Sequence, residues 1–361
     1  MGHQAREEWR RSKTLLSPGD DTDFMPNIEN LTSFGAVTFP SLDEGGRELL
    51  VTCVAGRFEL PPAGRASESP PTRSDRQEPP LMADAWWGQP DTSSLRIEGQ
   101  STWFRPATDI YISGKAWAPR GRPIKEMQVG VRIGSCKKVL QVFGERVWVQ
   151  GVLELRPLEP RPFESMPLVY ERSFGGAAEP RNPVGRGFYA SARAAVEQPL
   201  PNLEDPLQLI RRHSDRVSPM GLGPIARSWQ PRLAYAGTYD AAWVKNRAPL
   251  WPPDFDRRFF LAAAPGLVAS PWLKGGEPVV LTGLSPDGQW AFPLPRHRLT
   301  VKVVFQHRVE RRSLVLDAVH IEPDELALTL IWRAAVVAHG ELSRHEYSVV
   351  RELEPWEEPS P

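Results

Sequence analysis

Only two cysteines, Cys53 and Cys136, occur in 361 residues. They allow one pair at most, too sparse to staple a chain of this length, and they have no zinc-type spacing. Net charge is also missing: 44 Lys plus Arg stand against 44 Asp plus Glu. That balance excludes a chain-wide electrostatic pull, so neither nucleic acid nor a membrane surface is an expected partner. No apolar run approaches the length of a bilayer span, because the best stretch, around Leu330, is broken by Arg333. The first sixteen residues carry charge throughout and lack an apolar centre, so no secretory leader is expected. A soluble, cytoplasmic protein is the resulting expectation. No repeat of fixed period is visible, which disfavours solenoids and propellers.

Motifs for cofactor and metal chemistry are equally scarce. There is no Walker loop and no Gly-x-Ser-x-Gly elbow. The segment 221–226 (GLGPIA) matches a dinucleotide fingerprint in letters only. It follows a polar, Pro-bearing stretch instead of a strand, and Trp229-Gln230-Pro231 blocks the helix that would receive a pyrophosphate. His339-Gly340-Glu341 starts like a zinc deaminase, yet no Pro-Cys-x-x-Cys follows. His297, His307 and His320 fall in β-prone runs without ligand spacing. No cofactor and no metal is expected.

Proline is abundant: 38 residues, roughly twice ordinary usage. Long helices are excluded, since each interior Pro costs about 3 kcal/mol. Runs 34–39 and 47–60 flank Asp43-Glu44-Gly45-Gly46 and predict a hairpin. Residues 61–80 hold six prolines among Ser, Arg and Glu and predict an exposed loop. Segments 107–118, 126–133, 137–143 and 145–155 alternate as strands and suggest an antiparallel meander. Strand patterns return over 278–284, 290–294, 299–306, 313–321 and 326–337. Between them, residues 159–272 contain sixteen prolines and leave room only for short helices, at 204–213, 239–246 and 255–263. The predicted architecture is mainly β: antiparallel sandwich- or barrel-like sheets covered by a Pro/Gly-rich loop layer. One composite unit spans 25–350, made of N-terminal strands (25–158), the loop-rich middle (159–272) and C-terminal strands (273–350). It is preceded by a flexible arm (1–24) and followed by an acidic, Pro-rich tail (351–361).

Carboxylates among aromatics are what a glycosidase site would show. Asp240, Asp254 and Asp256 lie near Trp243, Trp251 and Phe255, and Glu171 joins them as a catalytic suspect. The plainer reading makes Asp240 a helix cap and Asp254 a turn residue, with Arg227, Arg232, Arg257 or Arg258 neutralising the acids. Thirteen tryptophans also suit a sugar-binding surface, although most stand in β-prone runs or beside Pro.

Longer strings are more specific. They include VYERSFGG (169–176), NPVGRGF (182–188), LPNLEDP (200–206), GLGPIARSWQPR (221–232), AGTYDAAW (236–243) and PPDFDRRFF (252–260), with ATDIYISGKAWAP (107–119) and VFGERVW (142–148) upstream. In this order, from about residue 35 to about 335, they resemble a bacterial family designated domain of unknown function twenty-one sixty-nine, which recurs in type VI secretion gene clusters. One departure is Gly144-Glu145-Arg146, where the family string reads Gly-Asp-Arg. The resemblance implies a non-enzymatic adaptor or chaperone. Such a protein holds a toxic effector and helps load it onto the VgrG or PAAR spike.

Interfaces favour aromatic residues and Arg. The partner-binding candidates are therefore Arg172, Phe174, Asn182, Arg186, Trp229, Arg232, Tyr239, Trp243 and Asp254. Each also has a structural alternative: Arg186 can bind loop carbonyls, and Tyr239 and Trp243 can pack on one helical face. An enzyme acting on carbohydrate or peptidoglycan is the rival function, and a sugar-binding module the third.

Overall fold

The runs around Asp43 form the predicted hairpin, Gly35–Leu42 against Glu48–Glu59. Its turn is built by the Asp43 carboxylate, which accepts from the Gly45 and Arg47 amides at 2.9 Å and from Arg47 Nε at 2.6 Å. Gly46 closes the turn at φ +82°, a conformation that a Cβ would strain. This computed structural model describes residues 26–354 and 356–358, except 91 and 153. The arm predicted at 1–24 lies outside the described residues.

The hairpin is one side of a seven-stranded sheet. Ala327–Val337 pairs with Glu48–Glu59. Val315–Glu322 follows, then Thr108–Ile112 in parallel, with Val268–Ala269 at the edge. Thr72–Arg73 attaches to the end of Glu48–Glu59. A five-stranded antiparallel sheet runs Leu203–Glu204, Cys136–Phe143, Glu126–Ile133, Pro278–Thr282 and Trp290–Pro293. A four-stranded sheet orders Ile28–Asn30, His345–Glu352, Leu299–Phe305 and Arg308–Ser313. Among the described residues no sheet closes into a barrel. The chain is mainly β, as predicted.

Alternation gives the large sheet two different faces. One face is apolar: Val54 pairs with Trp332, Leu330 with Val319, and Val319 with Ile110. These residues share one core with Val129, Leu140 and Trp290 of the second sheet and Val301 and Val303 of the third. The other face carries Asp109, Tyr111, His320 and Arg333, all buried. Covering it are residues 95–105 and 225–263.

Several expectations are corrected. The meander forms only in its middle, where Glu126–Ile133 and Cys136–Phe143 pair as an antiparallel hairpin, whereas Thr108–Ile112 enters a different sheet, because alternation specifies a strand and not its partner. The predicted helix at 204–213 is a strand end and a turn. Asp205 Oδ1 accepts from the Leu207 amide at 2.9 Å, and the buried Glu204 carboxylate accepts from the Ile210 amide at 2.7 Å. The helix at 239–246 is present as Ala241–Asn246, whereas 255–263 contains only the 3-10 turn Arg257–Phe260. Loop 61–80 is largely exposed, as predicted, and is tied to the second sheet where Gly64 N donates to Gln289 O at 2.9 Å and Ser67 N to Ala291 O at 2.7 Å. The last strand continues into the tail as far as Glu352.

Candidate functional site

The loop layer is fastened to the large sheet by a buried ionic network. Glu98, 2% exposed, accepts from Arg232 Nη2 at 3.0 Å and Arg227 Nη2 at 2.8 Å. Arg232 also donates to the Ile225 carbonyl at 2.6 Å and the Phe259 carbonyl at 2.9 Å. Deeper in, Arg105 bonds Gln100 at 2.8 Å and Asp317 at 3.3 Å. Arg333 reaches Asp317 at 2.5 Å and Gln100 at 2.9 Å. The sheet register slips at Asp317, between Leu316 and Ala318. Asp109 accepts from the Ala262 amide at 2.8 Å, the Ala263 amide at 3.2 Å and Tyr111 Oη at 2.6 Å.

Burial alone would raise the Glu98 pKa. The guanidiniums of Arg232 and Arg227 outweigh it and hold the carboxyl at about 2. For Asp109 burial wins over Arg105 and the hydrogen bonds, so its pKa is raised. Burial also raises Tyr111 well above the usual phenol value and pushes Cys53 to about 11. Each orphaned charge here would be costly, so this network serves as attachment.

Four partner-binding candidates belong to the interior of the layer. Phe174 packs with Trp148 and Leu200. Trp229 meets Tyr170 edge-on at 5.6 Å. Asn182 Nδ2 donates to the Tyr170 carbonyl at 2.8 Å and the Phe174 carbonyl at 3.0 Å. Arg232 is committed to Glu98, not to Asp254 or Asp256 as expected, and Arg227 likewise.

The other five stand nearer solvent in two clusters. In the first, Glu145 bridges two arginines: Arg172 Nη1 at 2.5 Å and Arg186 Nη1 at 3.3 Å. Arg186 Nε also donates to the Glu171 carbonyl at 3.0 Å, the loop-carbonyl role that was the structural alternative. Burial would raise the Glu145 pKa, but the Arg172 bond and charge lower it. In the second cluster, Tyr239 and Trp243 stack edge to face at 4.7 Å. Trp243 Nε1 donates to the Leu250 carbonyl at 2.8 Å. Tyr239 precedes the helix Ala241–Asn246 and is 36% exposed, so the two rings pack on each other without sharing a helical face.

The catalytic suspects are engaged locally. Asp240 caps the helix by accepting from the Trp243 amide at 2.8 Å. Asp254 accepts from Thr238 N at 2.9 Å and Oγ1 at 2.7 Å. Asp256 pairs with Arg258 at 2.6 Å, and Glu171 holds Ser94 N and Oγ at 2.7 and 2.6 Å. Segment 221–226 is irregular, and its Leu222 carbonyl accepts from the Ile112 amide at 2.9 Å.

Sequence reasoning did not anticipate the pairing of His320 with Ser113, Nε2 to Oγ 2.9 Å. The Ser113 hydroxyl donates to the Arg96 carbonyl at 3.0 Å. With that proton on the Arg96 carbonyl, the hydroxyl oxygen accepts from His320 Nε2. Among the described residues no group of three or more His, Cys, Asp or Glu is placed to hold a metal ion. Among them no helix is long and apolar enough to cross a membrane.

Comparison with curated proteins and comparison with solved structures each find no match. The family described as "Uncharacterized protein conserved in bacteria (DUF2169)" matches residues 45–333. That span takes in the hairpin return strand, the loop layer and the buried network through Arg333, and the chain belongs to this family.

Proposed function

We propose that the protein is a non-enzymatic adaptor that binds a type VI secretion effector and assists its loading onto the VgrG or PAAR spike. The observation that carries the reading is the loop layer tied down at several buried points. Buried Arg–carboxylate ties hold it in relay, Arg232 of the layer on Glu98 and Arg105 of the same 95–105 segment on Asp317 of the sheet, while Tyr239, Val244 and the Arg172–Glu145–Arg186 cluster face outward. A preorganised aromatic and Arg surface loses little side-chain freedom on binding. The carboxylates that would serve a glycosidase are instead spent on capping and turn bonds, which favours binding over catalysis. The type VI association comes from the ordered strings between residues 35 and 335.

The test is capture on tagged protein from a host with an active secretion system, read by mass spectrometry. Recovery of one toxin-like protein with a spike component is expected, weakened by Tyr239→Ala with Val244→Ser. Recovery of neither from such cells overturns the reading.

A further inference from the structure

The outer face of the four-stranded sheet carries an unusual charge arrangement. Lys302 and Arg311 are direct cross-strand partners. Like charges in that position repel, since the side chains start only about 5 Å apart. Among the described residues neither has an ion pair; Lys302 only overlies the Tyr347 ring at 5.9 Å. Arg351 stands on the same face, opposite Thr300 of the central strand. The three cations line a concavity of about 430 Å³ with Thr300, Val349 and Leu353.

One wall of the concavity comes from the chain's own tail. Glu357 accepts two parallel bonds of 2.7 Å from the Arg351 guanidinium. Its carbonyl accepts from Arg298, and Glu358 lines the same space. The tail thus seats a carboxylate on one cation and leaves Lys302 and Arg311 beside it without an ion-pair partner among the described residues. That charge pattern suits a ligand bringing at least one further carboxylate.

We propose that this concavity is a docking site for an acidic peptide segment of a partner protein, with Glu357 of the tail as its resident competitor. The proposal stands independently of the effector reading, because it concerns a different face. Binding energy comes from neutralising Lys302 and Arg311. Displacing Glu357 from Arg351 exchanges one bidentate pair for another and is close to neutral.

The experiment uses the full chain and a fluorescein-labelled peptide of sequence Glu-Pro-Trp-Glu-Glu, followed by anisotropy at low salt. Binding is expected, tightened about fivefold in Glu357→Ala/Glu358→Ala, the size of an exposed ion pair lost by the competitor. Adding Lys302→Glu and Arg311→Glu to that variant abolishes it, with an unchanged melting temperature as the folding control. Unaltered affinity on tail substitution, or survival of binding after charge reversal, overturns the proposal. So does charge-dependent cosedimentation with phosphatidylglycerol vesicles in the absence of peptide binding, which would assign the face to a membrane.

Discussion

Glu98 illustrates how one residue is held ionised out of water. Two guanidiniums within 3.0 Å replace its hydration, and removal of its charge leaves Arg232, 2% exposed, without a counter-ion. Breaking a buried pair from one side typically costs about 3–5 kcal/mol. Glu98→Gln is accordingly expected to lose about 3 kcal/mol at pH 7 in urea unfolding. The pH dependence has a defined sign. The folded pKa, about 2, lies below the value near 4.3 of an unfolded Glu. The stability it confers is complete above the unfolded pKa and disappears as pH falls through the folded one. The gap between wild type and Glu98→Gln should therefore be constant above about pH 5 and close toward pH 2. A gap that persists at pH 2 would mean that Glu98 acts through packing alone.

Elements were legible where local chemistry decides them. Asp43 with Gly46 specifies the hairpin turn, and Asp240 specifies the cap of Ala241–Asn246. Gly134 closes the turn between Ile133 and Cys136 at φ +56°. Partnering was not legible: nothing in the segment 107–118 announces that Thr108–Ile112 lies parallel to a strand some two hundred residues later. The buried network did leave a trace, as Asp109, Asp317 and Arg333 interrupt apolar β runs, a placement expensive unless each finds a partner. Which partners they find depends on tertiary arrangement, and Arg232 likewise bonds Glu98, 134 residues away, instead of the nearby Asp254 or Asp256. Loop geometry shows the same limit. Both Gly185 and Gly187 of NPVGRG look suited to positive φ, but only Gly187 adopts it, at +100°. Gly185 is needed for space, because a Cβ would overlap the Asn182 amide and stand 2.7 Å from Gly175 Cα. Gly185→Ala should lower stability by about 1–3 kcal/mol through overpacking, measured as a lower urea midpoint. An unchanged midpoint would show that the 173–187 crossing can spread at no cost.

At the scale of the whole molecule, the question is whether residues 159–272 unfold with the sheets or from them. A Pro-rich layer with few regular elements would ordinarily open at low free energy. Here it is bonded at several points to Asp109 of the sheet and to the 95–105 segment that lies on the sheet. The Ala262 and Ala263 amides donate to Asp109, the Phe260 carbonyl accepts from Arg105, and Arg232 joins Ile225 and Phe259 to Glu98. Opening the layer would expose Asp109, Arg105 and Glu98 in mismatched states, so local opening carries much of the cost of global unfolding. Native-state hydrogen exchange should accordingly give the amides of Ile225, Ala262 and Ala263 opening free energies within about 1 kcal/mol of those in Glu48–Glu59. Glu98→Gln should lower Ile225 more than the strand, because it loosens the tie at the layer's own end. Exchange of Ala262 and Ala263 several kcal/mol below the strand in the wild type would instead make the layer a separate cooperative unit. Its surface would then be ordered only on binding, and the affinity for any partner would carry that ordering cost.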